Sequence, residues 1–435
     1  MAVPVDGTAP QLWTIYSMYN LNTQTLTLTA LFVMSGSSSM LWAADPTQAI
    51  QDEWKFNLKN AYLYRDYDNP NAKNFGSWSQ GASLFYTSNL HDTPLVIADK
   101  PLRIGADASV QYAVRLSADR HVSDMVLPFD SQTQSQAADY SKYGATLKLG
   151  YDKTLLSIGE LWLDLPVTTS DASRQLITSY WGTNLKSQIS DQLYAEIGRV
   201  EKVSPRNEEN FHRFSFTANG KTAYSDGLNY LDLRYQLTPA LKAEYYFGNL
   251  EDLYNKHYLG LEHTWKQPTF SLNSKLKYFN AKNDGNNFEI DAQNIGLLEM
   301  LKVNNQSFGL GYQQIIGESA YPLPDGFLPE LYFINWNATG FFKKNEKSYH
   351  LMYGYDFKDY VPGLNAMVKY VYGHDFKAAN GEKNHETESN VLINYAFQQP
   401  YLKGFAVQYL RVDYKVKHGN DFGEDRLFVN YTKRF

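Results

Sequence analysis

From Asp139 to Leu163 the chain alternates between two kinds of side chain. Tyr143, Ala145, Leu147, Leu149 and Tyr151 share one parity; Gly144, Thr146, Lys148 and Gly150 share the other. A period of two puts the first set on one face of an extended strand and the second on the opposite face. Tyr151-Asp152-Lys153 supplies a tight turn, and a second strand is predicted over Thr154 to Leu163. From Asp164 to Arg174 the sequence DLPVTTSDASR breaks the alternation. The stretch reads as a strand, a turn, a second strand, and a loop able to fold into whatever the strands enclose.

The same pattern recurs along the chain. In Trp54 to Arg65, Trp54, Phe56, Leu58, Tyr62 and Tyr64 oppose Lys55, Asn57, Lys59 and Arg65. Similar segments are predicted at Trp78–Leu90, Leu102–Leu116, Ile177–Lys186, Leu193–Val203, Gly227–Leu237, Leu241–Leu250 and Tyr258–Trp265. Others follow at Phe270–Asn280, Ala292–Lys302, Ser307–Ile316, Lys347–Phe357, Leu364–Gly373, Glu388–Phe397, Phe405–Val416 and Asp425–Phe435. Phe211–Thr217 also alternates. Counting it gives an odd total, so it is assigned to a long outer loop, leaving about eighteen strands, an even number. Short links such as Thr238-Pro-Ala alternate with long ones such as Ser204–Asp226 and Glu318–Glu346.

Composition says what such strands enclose. The 435 residues include 34 Tyr and 24 Phe, yet mean hydropathy is −0.46. After residue 45 no apolar run approaches the ~20 residues that a spanning helix needs. Only helices and closed barrels satisfy their backbone in lipid. Aromatics in a hydrophilic, alternating chain therefore point to an all-β transmembrane antiparallel β-barrel with long outer loops. An aromatic-rich soluble β-protein is the alternative. A net charge of −6 gives no reason to expect nucleic acid as a partner, and the chain has no cysteine.

Residues 1–44 read as a signal peptide, and residues 45–435 as a single barrel domain. Leu26 to Ala43 is apolar, then rich in small residues, with a cut expected after Ala43 or Ala44. No Lys or Arg precedes Lys55, so the start is expected to be extended or mis-assigned. The last strand, DRLFVNYTKRF, ends on an aromatic residue. That ending resembles the signal read by the barrel insertion machinery of the outer membrane.

Several motifs, in order, resemble the OprD family of substrate-specific outer-membrane porins. They are Arg65-Asp66, Trp78-Ser-Gln-Gly81, Asp139-Tyr-Ser-Lys142, Lys153-Thr with Gly159-Glu160, Leu165-Pro-Val167 and Ser173-Arg174. Leu250-Glu-Asp-Leu-Tyr254, Tyr258-Leu-Gly260, Phe308-Gly-Leu-Gly-Tyr-Gln-Gln314, Val361-Pro-Gly-Leu364 and Asp425-Arg-Leu427 continue them. The resemblance runs from about Trp54 to Phe435. It implies an outer-membrane channel of a Gram-negative bacterium, a monomer or loose trimer embedded in outer-membrane lipid. Small hydrophilic solutes, carboxylates or amino acids, would diffuse through passively, with antibiotics also admitted. No cofactor or metal is implied.

In that family a constriction is built by the third and seventh outer loops, and a row of basic side chains guides carboxylates past it. Positive charge in a narrow, low-dielectric passage raises the local anion concentration. The positions that match are Lys59, Arg65, Lys148, Arg174, Lys369 and Arg426. Lys59, Arg65, Lys148 and Arg426 also have lumen parity. Gly150, Met352, Gln408 and Leu410 stand where basic residues are expected, so the ladder is thinned, anion selectivity is expected to be weaker, and larger or aromatic carboxylates are expected to pass. Asp164, Asp171 and Asp325 fall in the constricting loops, where they could meet a substrate ammonium group; Asp171 could equally pair with nearby Arg174. Tyr321, with Tyr140 and Tyr180, is a candidate for the constriction wall, with a role in the girdle or in loop packing as the favoured alternative. The rival readings are an enzyme and a plugged structural barrel. Nine scattered histidines and the absence of G-x-S-x-G and H-E-x-x-H argue against the enzyme. Lys and Gly on the inward parity argue for a wet lumen.

Overall fold

The computed structural model describes residues 45–47, 52–325, 333–335 and 338–435. The proposed leader, residues 1–44, lies outside the described residues.

One antiparallel sheet closes on itself. Its first strand, Glu53–Tyr67, pairs with Phe75–Thr87 on one side and with the last strand, Phe422–Arg434, on the other. Eighteen strands make the wall. The first half continues through Lys100–Arg115, Asp139–Tyr151, Thr154–Leu161, Ser179–Gln188, Leu193–Ser204, Leu228–Thr238 and Leu241–Leu250. The second half runs through Tyr254–Lys266, Phe270–Asn283, Asp291–Val303, Gln306–Gly317, Lys347–Asp356, Leu364–Lys377, Lys383–Ala396 and Phe405–Val416. Closure pairs every wall strand on both edges, which is what lipid demands of a sheet.

Three short β elements lie outside this ring among the described residues, one of them the small hairpin of Phe129–Asp130 with Ser135–Gln136. His91–Ile97 pairs only with the start of Lys100–Arg115 and extends that hairpin past the wall on the short-turn side. Ser215–Ala218 and Lys221–Tyr224 form a hairpin in the fourth outer loop (205–227). This is the alternation that the even strand count kept out of the wall.

Burial follows the period of two. Lys142, Thr146, Lys148 and Gly150 are buried toward the lumen, whereas Tyr143 is 76% exposed and Leu147 42%. Outside, Leu259, Leu276, Leu297, Leu310, Leu351 and Val368 are all exposed, forming an apolar belt suited to acyl chains. At the short-turn end aromatic pairs form a girdle: Trp54–Tyr86 at 4.7 Å, Trp265–Phe270 at 5.2 Å, Tyr395–Phe397 at 4.9 Å and Phe405–Tyr431 at 4.5 Å between centroids.

The apolar core lies inside the ring, where loops meet wall. Leu163, Leu165 and Val167 of the third outer loop (162–178) pack with Tyr180, Tyr230, Tyr246, Phe279 and the seventh-loop residues Tyr321 and Phe333. A second cluster joins Ile334 of the seventh loop (318–346) to Leu298, Met300, Met352, Met367, Leu392 and Leu410. Gly296 permits that contact, because a Cβ there would stand 2.4 Å from Ile334 Cγ1.

Candidate functional site

The third outer loop is held inside the barrel by cations that reach its backbone. Lys59 Nζ donates to the carbonyl oxygens of Ala172 at 2.6 Å and Arg174 at 2.7 Å. Lys142 Nζ donates to those of Ile177 at 3.0 Å, Ser204 at 2.9 Å and Pro205 at 2.5 Å. Gln175 Nε2 donates to Ser79 O at 3.0 Å and Ser79 Oγ at 2.8 Å. Within the loop, Leu165 and Thr168 exchange both backbone hydrogen bonds around Pro166-Val167. Tyr180 OH ties this turn down at Thr169 O, and Tyr140 OH donates to Arg206 O at 2.8 Å. Both tyrosines thus secure loops.

The seventh loop is held by wall acceptors. Glu388 accepts from Ala338 N at 3.1 Å, Thr339 N at 2.9 Å and Thr339 Oγ1 at 2.8 Å. Gln313 bridges Asn335 N and Phe341 O, while Asn335 reaches Ser348 and His350. Loops secured at so many points are pre-set obstacles in the lumen.

The register aligns the basic side chains beside them. Arg65 lies opposite Glu424, Leu63 opposite Arg426, and Lys55 opposite Arg434 on the paired first and last strands. At ~3.4 Å per residue, Arg65 and Lys59 are roughly 20 Å apart along the wall. Their charges are not equally available. Arg65 Nε meets Glu424 Oε2 at 2.6 Å, with its guanidinium over the Phe422 ring at 3.8 Å. Arg426 bonds the other oxygen of Glu424. Lys148 Nζ pairs with Asp107 at 2.5 Å and donates to Ser88 O, so it adds no net charge. Lys369 is buried on the wall with Glu388 as an electrostatic neighbour.

Arg174 differs. Its Nη1 donates to Ser173 O at 3.2 Å and Ser173 Oγ at 3.3 Å, and Nε has no hydrogen-bond partner among the described residues. Burial first, then Arg206 and Arg426, push it well below its ordinary pKa. An arginine stays charged in proteins, so the guanidinium keeps its charge under this electrostatic stress.

The acidic residues are occupied. Asp171 pairs with Arg206 of the fourth loop, a partner 35 residues away, rather than with nearby Arg174. Burial raises Asp171, but Arg206, Arg174 and Ser173 outweigh it and hold the carboxyl below its ordinary value. Asp325 accepts from Ser215 Oγ and Thr217 Oγ1, both at 2.8 Å, tying the seventh loop to the fourth-loop hairpin. Asp164 is raised by burial, against the pull of Arg234. Tyr321 is buried against Phe279 and Phe333, with Lys256 Nζ 4.7 Å from its ring centroid.

The family model described as outer membrane porin, OprD family, matches residues 50–435. The chain belongs to the OprD family of outer-membrane porins. It is 82% identical to Acinetobacter baumannii OccAB4, whose crystal structure superposes with a TM-score of 0.89 over 90% of this chain and 100% of that one. Pseudomonas aeruginosa OpdK, solved with vanillate, is 26% identical at a TM-score of 0.80, covering 88% of this chain and 99% of its own. The porin-like protein GalP of Pseudomonas putida is 24% identical over 90% of this chain and 95% of its own. As an OprD-family porin the protein is an outer-membrane channel of a Gram-negative bacterium and a transport protein, not an enzyme.

This porin also carries lumen charge that the motif comparison passed over. Arg234 Nε lies 2.7 Å from Asp232 and 3.1 Å from Glu244, and its Nη2 donates to Asp164 O. Lys275 lies 3.7 Å from Glu262 on neighbouring strands. The signal was present: Asp232 and Arg234, like Lys275 and Lys277, share a parity opposite to apolar residues. Opposite signs interleave here, so this side of the wall is a structural network rather than a cationic track.

At the foot of the seventh loop, Glu346 is fully buried, with Oε2 accepting from Lys343 N at 3.0 Å. Burial, then the facing Glu386, push its pKa from 4.5 up to about 9, against the pull of Lys343. Glu386 itself accepts from Lys343 Nζ and Tyr414 OH. The folded loop therefore holds a proton that a released loop would shed at neutral pH. Docking is strongest below about pH 4.5 and weakens as pH rises toward about 9. Open-channel noise should grow between pH 5 and 9 in the wild type, with a much flatter profile in Glu346→Gln. Equal pH profiles in single-channel recordings would remove Glu346 from this role.

Proposed function

We propose that this porin is a facilitated-diffusion channel for small solutes bearing a carboxylate, whether organic acids or amino acids, guided by lumen basic residues at the third loop. The carrying observation is Arg174, a buried guanidinium that no carboxylate bonds among the described residues, seated at the lumen loop that Lys59 anchors. Around it stand Lys59, Arg65, Arg206 and Arg426, with Asp171 paired to Arg206 and Glu424 shared by Arg65 and Arg426. A cationic excess in a narrow passage favours anions, and no deep energy well forms, because each cation is already tied to the wall or a loop. The apolar wall at Met352, Met367 and Leu410 adds a surface suited to solutes larger than the simplest acids. That a relative, OpdK, was solved with vanillate supports an aromatic carboxylate within this class.

Liposome swelling decides the matter. Carboxylates should enter faster than neutral sugars of equal size, and amino acids should fall between them. Equal rates across the panel would leave a general porin with little selectivity.

A further inference from the structure

On the periplasmic side of the Lys59 anchor, a row of lumen-facing side chains crosses three neighbouring strands. Lys55 is in register with Arg434 on one side and with Phe85 on the other. In-register neighbours lie within side-chain reach of one another. Lys55 stands ~13 Å below Lys59 along the same strand. Trp162, the first residue of the third loop, comes down to this row. Its ring meets Phe85 edge to face, at 5.4 Å and 81°.

The row has donors without acceptors. Arg434 Nη1 donates to Glu53 at 3.0 Å, but Nε and Nη2 are buried with no partner among the described residues. Trp162 Nε1 is in the same condition. Lys55 makes no hydrogen bond or ion pair among the described residues, with Arg434 and Glu53 as its charged neighbours. Buried donors are ordinarily satisfied, and a group of them left open in one place calls for an acceptor from outside the chain. Beyond Phe85 the polarity reverses: Ser109 is in register with Phe85, and its Oγ donates to Glu160 Oε2 at 2.6 Å.

We propose that Lys55, Arg434, Phe85 and Trp162 form a binding station for a planar aromatic carboxylate on the exit side of the constriction. It rests on the carboxylate reading of the channel and adds a second site to it. The carboxylate lies over Lys55 and Arg434, and the ring lies against Phe85 and Trp162. Glu160 repels the charged end and so fixes which way round the solute sits. Aromatic rings prefer offset or edge-on neighbours, so the existing Phe85–Trp162 geometry leaves ring faces for a flat solute. The station catches a solute released from Arg174 before it reaches the periplasm.

The test is single-channel blocking by benzoate and by cyclohexanecarboxylate, which matches its size and charge without a flat ring. The barrel's heat-modifiable gel mobility checks that each variant is folded. In the Phe85→Leu/Trp162→Leu double variant, benzoate residence time should fall about tenfold, while cyclohexanecarboxylate changes little. In Lys55→Met both acids should lose residence time by a similar factor, because the charge contact is shared. If both acids respond alike to the aromatic double variant, or neither responds, the station is overturned. That outcome differs from failure of the channel reading itself, in which wild-type protein prefers no carboxylate over a neutral solute.

Discussion

Arg206→Ala is expected to free the third and fourth outer loops together and to raise both the conductance and the noise of the channel. The Arg206–Asp171 pair is buried, with side chains 8% and 2% exposed. Arg206 Nη1 also donates to Ser173 Oγ at 2.5 Å, and its carbonyl accepts from Tyr140 at 2.8 Å. Removing one partner of a buried pair costs about 3–5 kcal/mol, because the other charge is left in place without compensation. Asp171 would be that charge. In the wild type its depressed pKa means that the pair stabilises the loop above the ordinary carboxylate range and is lost as pH falls through the lowered value. In Arg206→Ala, burial acts with less opposition, so Asp171 takes up a proton at higher pH. Neither residue belongs to a wall strand, so the barrel should keep its folded gel mobility while the lumen opens. Arg206→Met/Asp171→Leu, which removes both charges, should recover much of the wild-type behaviour. Planar-bilayer recordings with unchanged conductance and noise in Arg206→Ala would mean that this pair does not hold the constriction.

The wall was legible because its signal is local. Alternation of lipid and lumen faces is imposed residue by residue, so strands such as Asp139–Tyr151 and Leu241–Leu250 stand out in the sequence. His91–Ile97 was missed because Pro94 cannot donate to a ladder, and pairing there shifts register between Asp92 and Val96. The lumen was less legible because its contacts are distant in sequence. Nothing in the neighbourhood of Lys59 foretells the carbonyls of Ala172 and Arg174. Asp171 was read as a possible partner of Arg174, three residues away, when the folded fourth loop supplies Arg206 instead. Parity shows that Lys148 faces inward, but only the fold shows Asp107 cancelling its charge. A count of basic lumen positions therefore overstates the ladder, and the effective charge must be taken pair by pair.

That distinction yields the second large effect: the basic residues should not be interchangeable in reversal-potential measurements. Arg174→Met removes a positive charge without stranding an acid, since no carboxylate bonds its guanidinium among the described residues. A unit charge ~6 Å from a passing anion contributes roughly 3 kcal/mol at an effective dielectric of 20. Salt near 0.1 M, with a Debye length of about 10 Å, reduces this, leaving a fall of about five- to tenfold in the anion-to-cation permeability ratio. Glu424→Gln should act in the opposite direction. Glu424 is the shared carboxylate of Arg65 and Arg426, so its loss leaves both cations uncompensated and raises anion preference. Lys148→Met/Asp107→Leu removes one charge of each sign from the wall and should leave the reversal potential nearly unchanged. All these shifts should shrink in 1 M salt, where the Debye length falls to about 3 Å. If Arg174→Met and Glu424→Gln leave the reversal potential where it was at low salt, these charges do not set selectivity, and the third loop acts by its shape alone.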